Sequence, residues 1–120
     1  MRIYRIFIIL FLLILTGCEG GLDELGFGTG SYKIDDYDEI IAFYANKYKI
    51  PVKFINAVIE TESAWDKDAV SPSGAEGLMQ LMPGTAKMLG VKDSFDPRQN
   101  IAGGTKYLRM LLNKFNGNYK

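Results

Sequence analysis

The chain has 120 residues, with 14 basic side chains balancing 14 acidic ones, no histidine and a single cysteine, Cys18. That length allows one small domain at most. Without histidine there is no Ser-His or Cys-His catalysis and no histidine-based metal site, and one cysteine builds no disulfide framework. The chemistry on offer is carboxylate, hydroxyl, amide and amine. No CxxC, no HExxH and no glycine-rich phosphate loop occurs, so no cofactor and no metal are implied.

Arg2 and Arg5 precede an unbroken apolar run from Ile6 to Leu15. This run falls short of the roughly 20 residues that span a bilayer. A basic start and a short apolar core predict a secretory signal peptide over residues 1–17. Leu15-Thr16-Gly17-Cys18 resembles a bacterial lipobox. It makes Cys18 the lipidation site and the membrane a partner through the N-terminal lipid. The location implied is the cell envelope, facing the periplasm or cell wall. The alternatives are an ordinary signal peptide with a chance cysteine, or an uncleaved anchor.

Residues 18–34 are glycine-rich with no sustained period, as in a flexible tether. Residues 35–120 are left for the domain. Residues 18–40 carry seven acids against Lys33, whereas residues 41–120 carry eleven bases against seven acids. A mildly basic domain suits an anionic polymer such as cell wall, but the excess is small. No Lys/Arg cluster interleaved with aromatics points to nucleic acid.

Asp36, with Glu39 three residues on, predicts the start of a first helix through a capping box. Ile40, Ile41, Tyr44 and Tyr48 would share one side of it. Lys49-Ile50-Pro51 breaks that helix, and Pro51 suits the first turn of a second one ending near Ser63. Along the second helix Val52, Phe54, Ile55, Val58 and Ile59 fall on one face at about 100° per residue. Glu62 lies three residues after Ile59 and four after Val58, so it projects from that apolar stripe. Glu60 points the other way, beside Lys53 and Asn56. A carboxylate on an apolar face is costly unless paired or neutralised. Burial raises its pKa toward the range useful to a general acid. A core-edge residue paired with a lysine, or capping a neighbouring helix, is the equally weighted alternative on position alone.

Residues 64–82 form a long irregular stretch, of the kind that in a small domain is functional or disordered. Leu78, Met79, Leu81 and Met82 argue against disorder. A short helix from Pro83 to Leu89, closed by Gly90, follows. Asp96 and Pro97 open a last helix whose apolar stripe is Ile101, Leu108, Leu111, Leu112 and Phe115. No strand pattern of any length appears. The predicted fold class is all-α, with at most a small β-hairpin in the 64–82 region near the cleft. Taken alone, Gln80 reads as a loop amide satisfying local backbone, Met79 and Met82 as core filler and Trp65 as a core anchor.

The order and spacing of these residues carry more. Glu62-Ser63-x-Trp65, then Ala69-x-Ser71-x-x-Gly74-Ala75-x-Gly77-Leu78-Met79-Gln80-Leu81-Met82-Pro83-x-Thr85-Ala86, then Asp96-Pro97-x-x-Asn100-Ile101-x-x-Gly104-x-x-Tyr107-Leu108 resembles the catalytic domain of lytic transglycosylases of the soluble type. These glycoside hydrolases have a goose-lysozyme-like fold. The resemblance runs from about residue 36 to 116. It implies that Glu62 is the single catalytic acid/base, that Ser71 orients the reacting end of the substrate, and that Gln80 and Met82 contact the sugar beside the scissile bond. Ser63 would help hold the catalytic turn, while Gly74 and Gly77 would let backbone approach the glycan. The implied partner is the glycan strand of peptidoglycan, with envelope or secretion complexes as further partners.

The implied reaction follows from having one carboxylate where most glycosidases use two. Glu62 protonates the β-1,4 glycosidic oxygen between N-acetylmuramic acid (MurNAc) and N-acetylglucosamine (GlcNAc). As carboxylate it then takes the proton of the C6 hydroxyl, closing a 1,6-anhydro ring without water. Asp66 and Asp68, the nearest other carboxylates, sit in a polar segment and are expected to be solvated. Family members usually continue into an Ala-Tyr-Asn-Ala-Gly block. This chain ends at Asn116-Gly-Asn-Tyr-Lys120, so a C-terminally incomplete domain is expected. Two other functions compete: a hydrolysing lysozyme, and a catalytically silent glycan-binding or scaffolding module of an envelope secretion apparatus.

Overall fold

A computed structural model describes residues 37–116. The signal peptide, Cys18, the tether and the Asp36 cap lie outside the described residues, as does the segment after Asn116. Four helices follow in chain order: α1 Tyr37–Tyr48, α2 Val52–Ser63, α3 Pro83–Leu89 and α4 Pro97–Phe115. No strand occurs among the described residues. The expected hairpin is reduced to two isolated antiparallel bridges, Val70 with Glu76 and Glu76 with Leu81. The all-α expectation matches this architecture.

Each helix ends where its local chemistry dictates. Lys49, at φ 55°, closes α1: its N–H reaches Asn46 O and the Ile50 N–H reaches back to Ala45 O at 3.0 Å. Gly90, at φ 78°, closes α3 in the same way, through Gly90 N–H to Lys87 O and Val91 N–H to Ala86 O. A left-handed residue after the last turn lets two orphan carbonyls find donors. At the start of α4 the Asp96 carboxylate accepts from Gln99 N–H at 2.8 Å, and Pro97 occupies the first turn, where its missing N–H costs nothing.

Helix α1 packs on α4, α2 lies beside α1, and α3 rests against α4. Ile41 and Ala45 of α1 join Ile55, Val58 and Ile59 of α2 and Ile101 and Leu108 of α4 in the core. Burying each of these isoleucine, valine and leucine side chains contributes about 1.5–3 kcal/mol. Leu78 and Leu81 are as buried as any helical residue, which orders the 64–82 stretch. Val52 and Phe115, expected in apolar stripes, are instead 42% and 53% exposed. They are the first residue of α2 and the last of α4, where few neighbours remain to cover them.

Arg109 of α4 ties the α1–α2 corner down. Its Nε donates to Tyr48 O at 2.8 Å and its Nη2 to Lys49 O. A guanidinium here meets the negative end of α1 as well as two carbonyls. The corner it holds sets the direction in which α2 leaves, and α2 carries Glu62 at its far end.

Candidate functional site

Helix α2 stops directly after Glu62-Ser63. Ala64, at φ 49°, caps it by donating its N–H to Glu60 O at 3.0 Å, and Trp65 follows at φ 67°. Two consecutive non-glycine residues in the left-handed region are uncommon and cost of order 1–3 kcal/mol each. Ser63 donates its hydroxyl to Ile59 O at 3.1 Å, within its own helix. The chain thus turns sharply away, leaving Glu62 at an open helix end. Trp65 is half-buried and not part of the apolar core, so it is not the core anchor expected of it.

Glu62 itself is half-buried, and its carboxylate has no hydrogen bond or ion pair among the described residues. Neither the lysine partner nor the helix-capping role is realised. Burial without compensation pushes its pKa up from 4.5 to about 7. The neighbouring acids are differently placed. Asp66 and Asp68 are exposed; Asp68 pairs with Lys67 at 2.9 Å, and the Asp66 carboxylate accepts from Asp68 N–H. They meet the expectation of solvated loop carboxylates. Among the described residues no three acids or cysteines group to hold a metal ion.

Ser71 and Gln80 are brought onto one compact loop. Ser71 closes a tight turn: its N–H donates to Ala75 O at 2.9 Å, its hydroxyl accepts from Ala75 N–H at 3.0 Å and shares a hydrogen bond with Ser73 Oγ. Gln80, at φ 51° and 7% exposed, donates Nε2 to Ala69 O at 3.1 Å and to Gly77 O at 2.9 Å. Its amide nitrogen therefore serves the loop. Its Oε1 has no hydrogen-bond partner among the described residues. Met82 is half-buried at the residue before α3. No hydrogen bond joins Glu62 to Ser71 or Gln80 among the described residues. A separate groove of about 490 Å³, walled by Glu76, Lys87, Val91 and Phe95 among others, does not include Glu62.

The residue that sequence reasoning left without a role is Asn100. It is fully buried on α4 and makes three hydrogen bonds: Oδ1 accepts from Met79 N–H at 2.7 Å, and Nδ2 donates to Glu76 O at 3.0 Å and Ser94 O at 2.8 Å. Gly77 fits only because it lacks a side chain, since a Cβ there would lie 2.2 Å from Ser94 O and 2.3 Å from Asn100 Nδ2. The close approach that requires glycine at position 77 is to the protein's own α4 region. Gly104 likewise leaves room for the Met79 side chain.

Comparison with known proteins agrees with this layout. The membrane-bound lytic murein transglycosylase F of Shewanella sediminis is 43% identical over 82 residues, 68% of this chain and 17% of that protein. The crystal structure of the 70 kDa soluble lytic transglycosylase of Escherichia coli superposes with a TM-score of 0.60 at 37% identity, covering 68% of this chain and 15% of that one. An inactive mutant of the lytic transglycosylase Slt of Pseudomonas aeruginosa, carrying a Glu-to-Gln substitution, gives 0.60 at 33% identity over 69% of this chain and 15% of that chain. The chain spans less than a third of the length of the curated relatives it matches. Residues 39–120 match the transglycosylase SLT domain, and the chain belongs to that family.

Proposed function

We propose that this domain is the catalytic part of a lytic transglycosylase acting on peptidoglycan. The observation that carries the reading is Glu62: a half-buried carboxylate on an apolar helix face, unpaired, with its pKa raised to about 7. Such a group is protonated often enough at neutral pH to donate a proton and, once ionised, basic enough to take one back. A module that only binds glycan has no use for an unpaired buried acid. The inactive Glu-to-Gln form of the Pseudomonas aeruginosa relative supports the same reading.

In this reading Glu62 protonates the glycosidic oxygen between MurNAc and GlcNAc, and the C1–O bond breaks. The substrate's own N-acetyl group stabilises the cationic centre, so no second carboxylate is needed. The Glu62 carboxylate then removes the C6 hydroxyl proton as that oxygen bonds to C1. The 1,6-anhydro ring closes, and Glu62 ends protonated as it began. The Ser71 hydroxyl would donate or accept a hydrogen bond to the sugar, Oε1 of Gln80 would accept one, Met82 would pack on it, and Ser63 would hold the turn. Lipidation at Cys18 would keep the domain 35–120 at the membrane, within reach of an insoluble substrate.

The reaction starts from protonated Glu62. The rate constant kcat/KM on isolated peptidoglycan should therefore be level below neutrality and fall about tenfold per pH unit above the pKa of about 7. A profile that instead rises through neutrality would mean that Glu62 must first be ionised, and the acid role would be wrong.

A further inference from the structure

The loop that carries Gln80 is closed on itself by a reciprocal pair, Glu76 N–H to Leu81 O at 2.9 Å and Leu81 N–H to Glu76 O at 3.0 Å. That pair fixes the loop's shape but not its place on the rest of the molecule. Its polar ties to α4 are Asn100 and a weak, long contact from the Thr105 hydroxyl to Met79 Sδ at 4.0 Å. Asn100 grips the loop at two points, Glu76 O and Met79 N–H, and with the same amide nitrogen holds Ser94 O just ahead of α4. Met79 is the residue before Gln80, and Gln80 leaves it in a left-handed conformation that turns its amide back to Ala69 and Gly77.

With both Nε2 bonds spent inside the loop, Oε1 is the end of Gln80 left without a hydrogen-bond partner among the described residues. Where that oxygen sits relative to α2 depends on where the loop sits on α4. We infer that Asn100 is a positioning residue: it never meets the substrate, but it places the Gln80 carbonyl oxygen as a fixed acceptor for a sugar hydroxyl or amide N–H. This rests on the reading of the domain as glycan-cleaving and names the residue that sets one of its contacts.

The test is steady-state kinetics and equilibrium binding on peptidoglycan glycan strands in the full-length protein, each value corrected for the folded fraction. Asn100→Ala should raise KM and the dissociation constant about tenfold, the scale of one misplaced hydrogen bond, with kcat nearly unchanged. Asn100→Asp is the conservative variant. Its buried carboxyl stays protonated, keeps the acceptor for Met79 N–H and restores one donor, so part of the affinity should return. If Asn100→Ala does not fold, Asn100→Asp against the wild type carries the comparison. In a Gln80→Ala background, substituting Asn100 should weaken glycan binding no further.

Folded Asn100 variants that bind glycan as the wild type does would overturn the inference. So would losses at Asn100 and Gln80 that simply multiply. Either result leaves the acid role of Glu62 standing, whereas a Glu62→Gln protein that still cleaves removes that role and leaves the binding result intact.

Discussion

Glu62→Gln should cut glycan cleavage by about 10²–10⁴, the usual range for general acid/base help, while binding to isolated peptidoglycan stays close to that of the wild type. Gln keeps the size and the polar end of the side chain but can neither give nor take the proton. The same substitution should also change stability, in a pH-dependent way. The carboxyl is held at a pKa of about 7 in the folded protein against 4.5 as its ordinary value. The folded state therefore binds more protons than the unfolded chain between those two values, and wild-type stability falls as pH rises through that window. At about 1.36 kcal/mol per unit the shift would correspond to about 3 kcal/mol, and solvent access to a half-buried group reduces this to on the order of 1–2 kcal/mol. Glu62→Gln should match the wild type near its lower limit, about pH 4.5, and exceed it near pH 8 by that amount in urea unfolding. A variant that is inactive and yet more stable above neutrality is the signature of a carboxylate retained for chemistry. Equal stability at both pH values would mean that the group is not desolvated.

Gly77→Ala should have the largest effect on the fold. Two costs combine at one position. At φ 78° any Cβ is strained, by about 1–2 kcal/mol. The new atom would also stand 2.2 Å from Ser94 O and 2.3 Å from Asn100 Nδ2. Neither neighbour can step aside cheaply, because those two atoms are hydrogen-bonded to each other at 2.8 Å and Nδ2 also holds Glu76 O. Relieving the clash breaks buried hydrogen bonds at about 1–3 kcal/mol for each group left unsatisfied. A total above about 4 kcal/mol is expected, a large part of the stability of a small domain. Gly74→Ala is the control. Its φ of 88° imposes similar strain, but nothing lies within 4 Å of its Cβ position, so only the strain of about 1–2 kcal/mol should appear. Denaturant midpoints of the two variants separate backbone strain from steric overlap. Similar losses in both would show that the packing around Gly77 yields easily.

The helices were legible because their signals are local. Pro83 and Gly90 bracket α3, Asp96 and Pro97 open α4, and the spacing of Ile55, Val58 and Ile59 put Glu62 on the covered side of α2. Glu62 could be singled out from Glu60 two residues away because a helical period assigns them to different faces. What pattern could not supply were the contacts made across long stretches of chain. Asn100 meets Met79 across 21 residues and Glu76 across 24, and Arg109 meets Tyr48 across 61. Nothing in local spacing distinguishes a buried asparagine that organises a loop from one facing water. The inward turn of the Gln80 amide is the same kind of fact. Local reasoning offers backbone satisfaction, and the amide nitrogen takes that role; the sugar contact implied by the family resemblance is our proposal for its oxygen. Val52 and Phe115 were misplaced for the opposite reason: periodicity assigns a face but not whether a helix end has anything packed against it.

The most direct test of Glu62 as a solitary acid/base is to digest isolated peptidoglycan in water enriched in heavy oxygen and weigh the released fragments. Intramolecular attack by the C6 hydroxyl predicts 1,6-anhydro ends, one water lighter than hydrolytic products and free of the label. Reducing ends that carry heavy oxygen would show that water is the nucleophile, and the transglycosylase mechanism built on Glu62 would be contradicted.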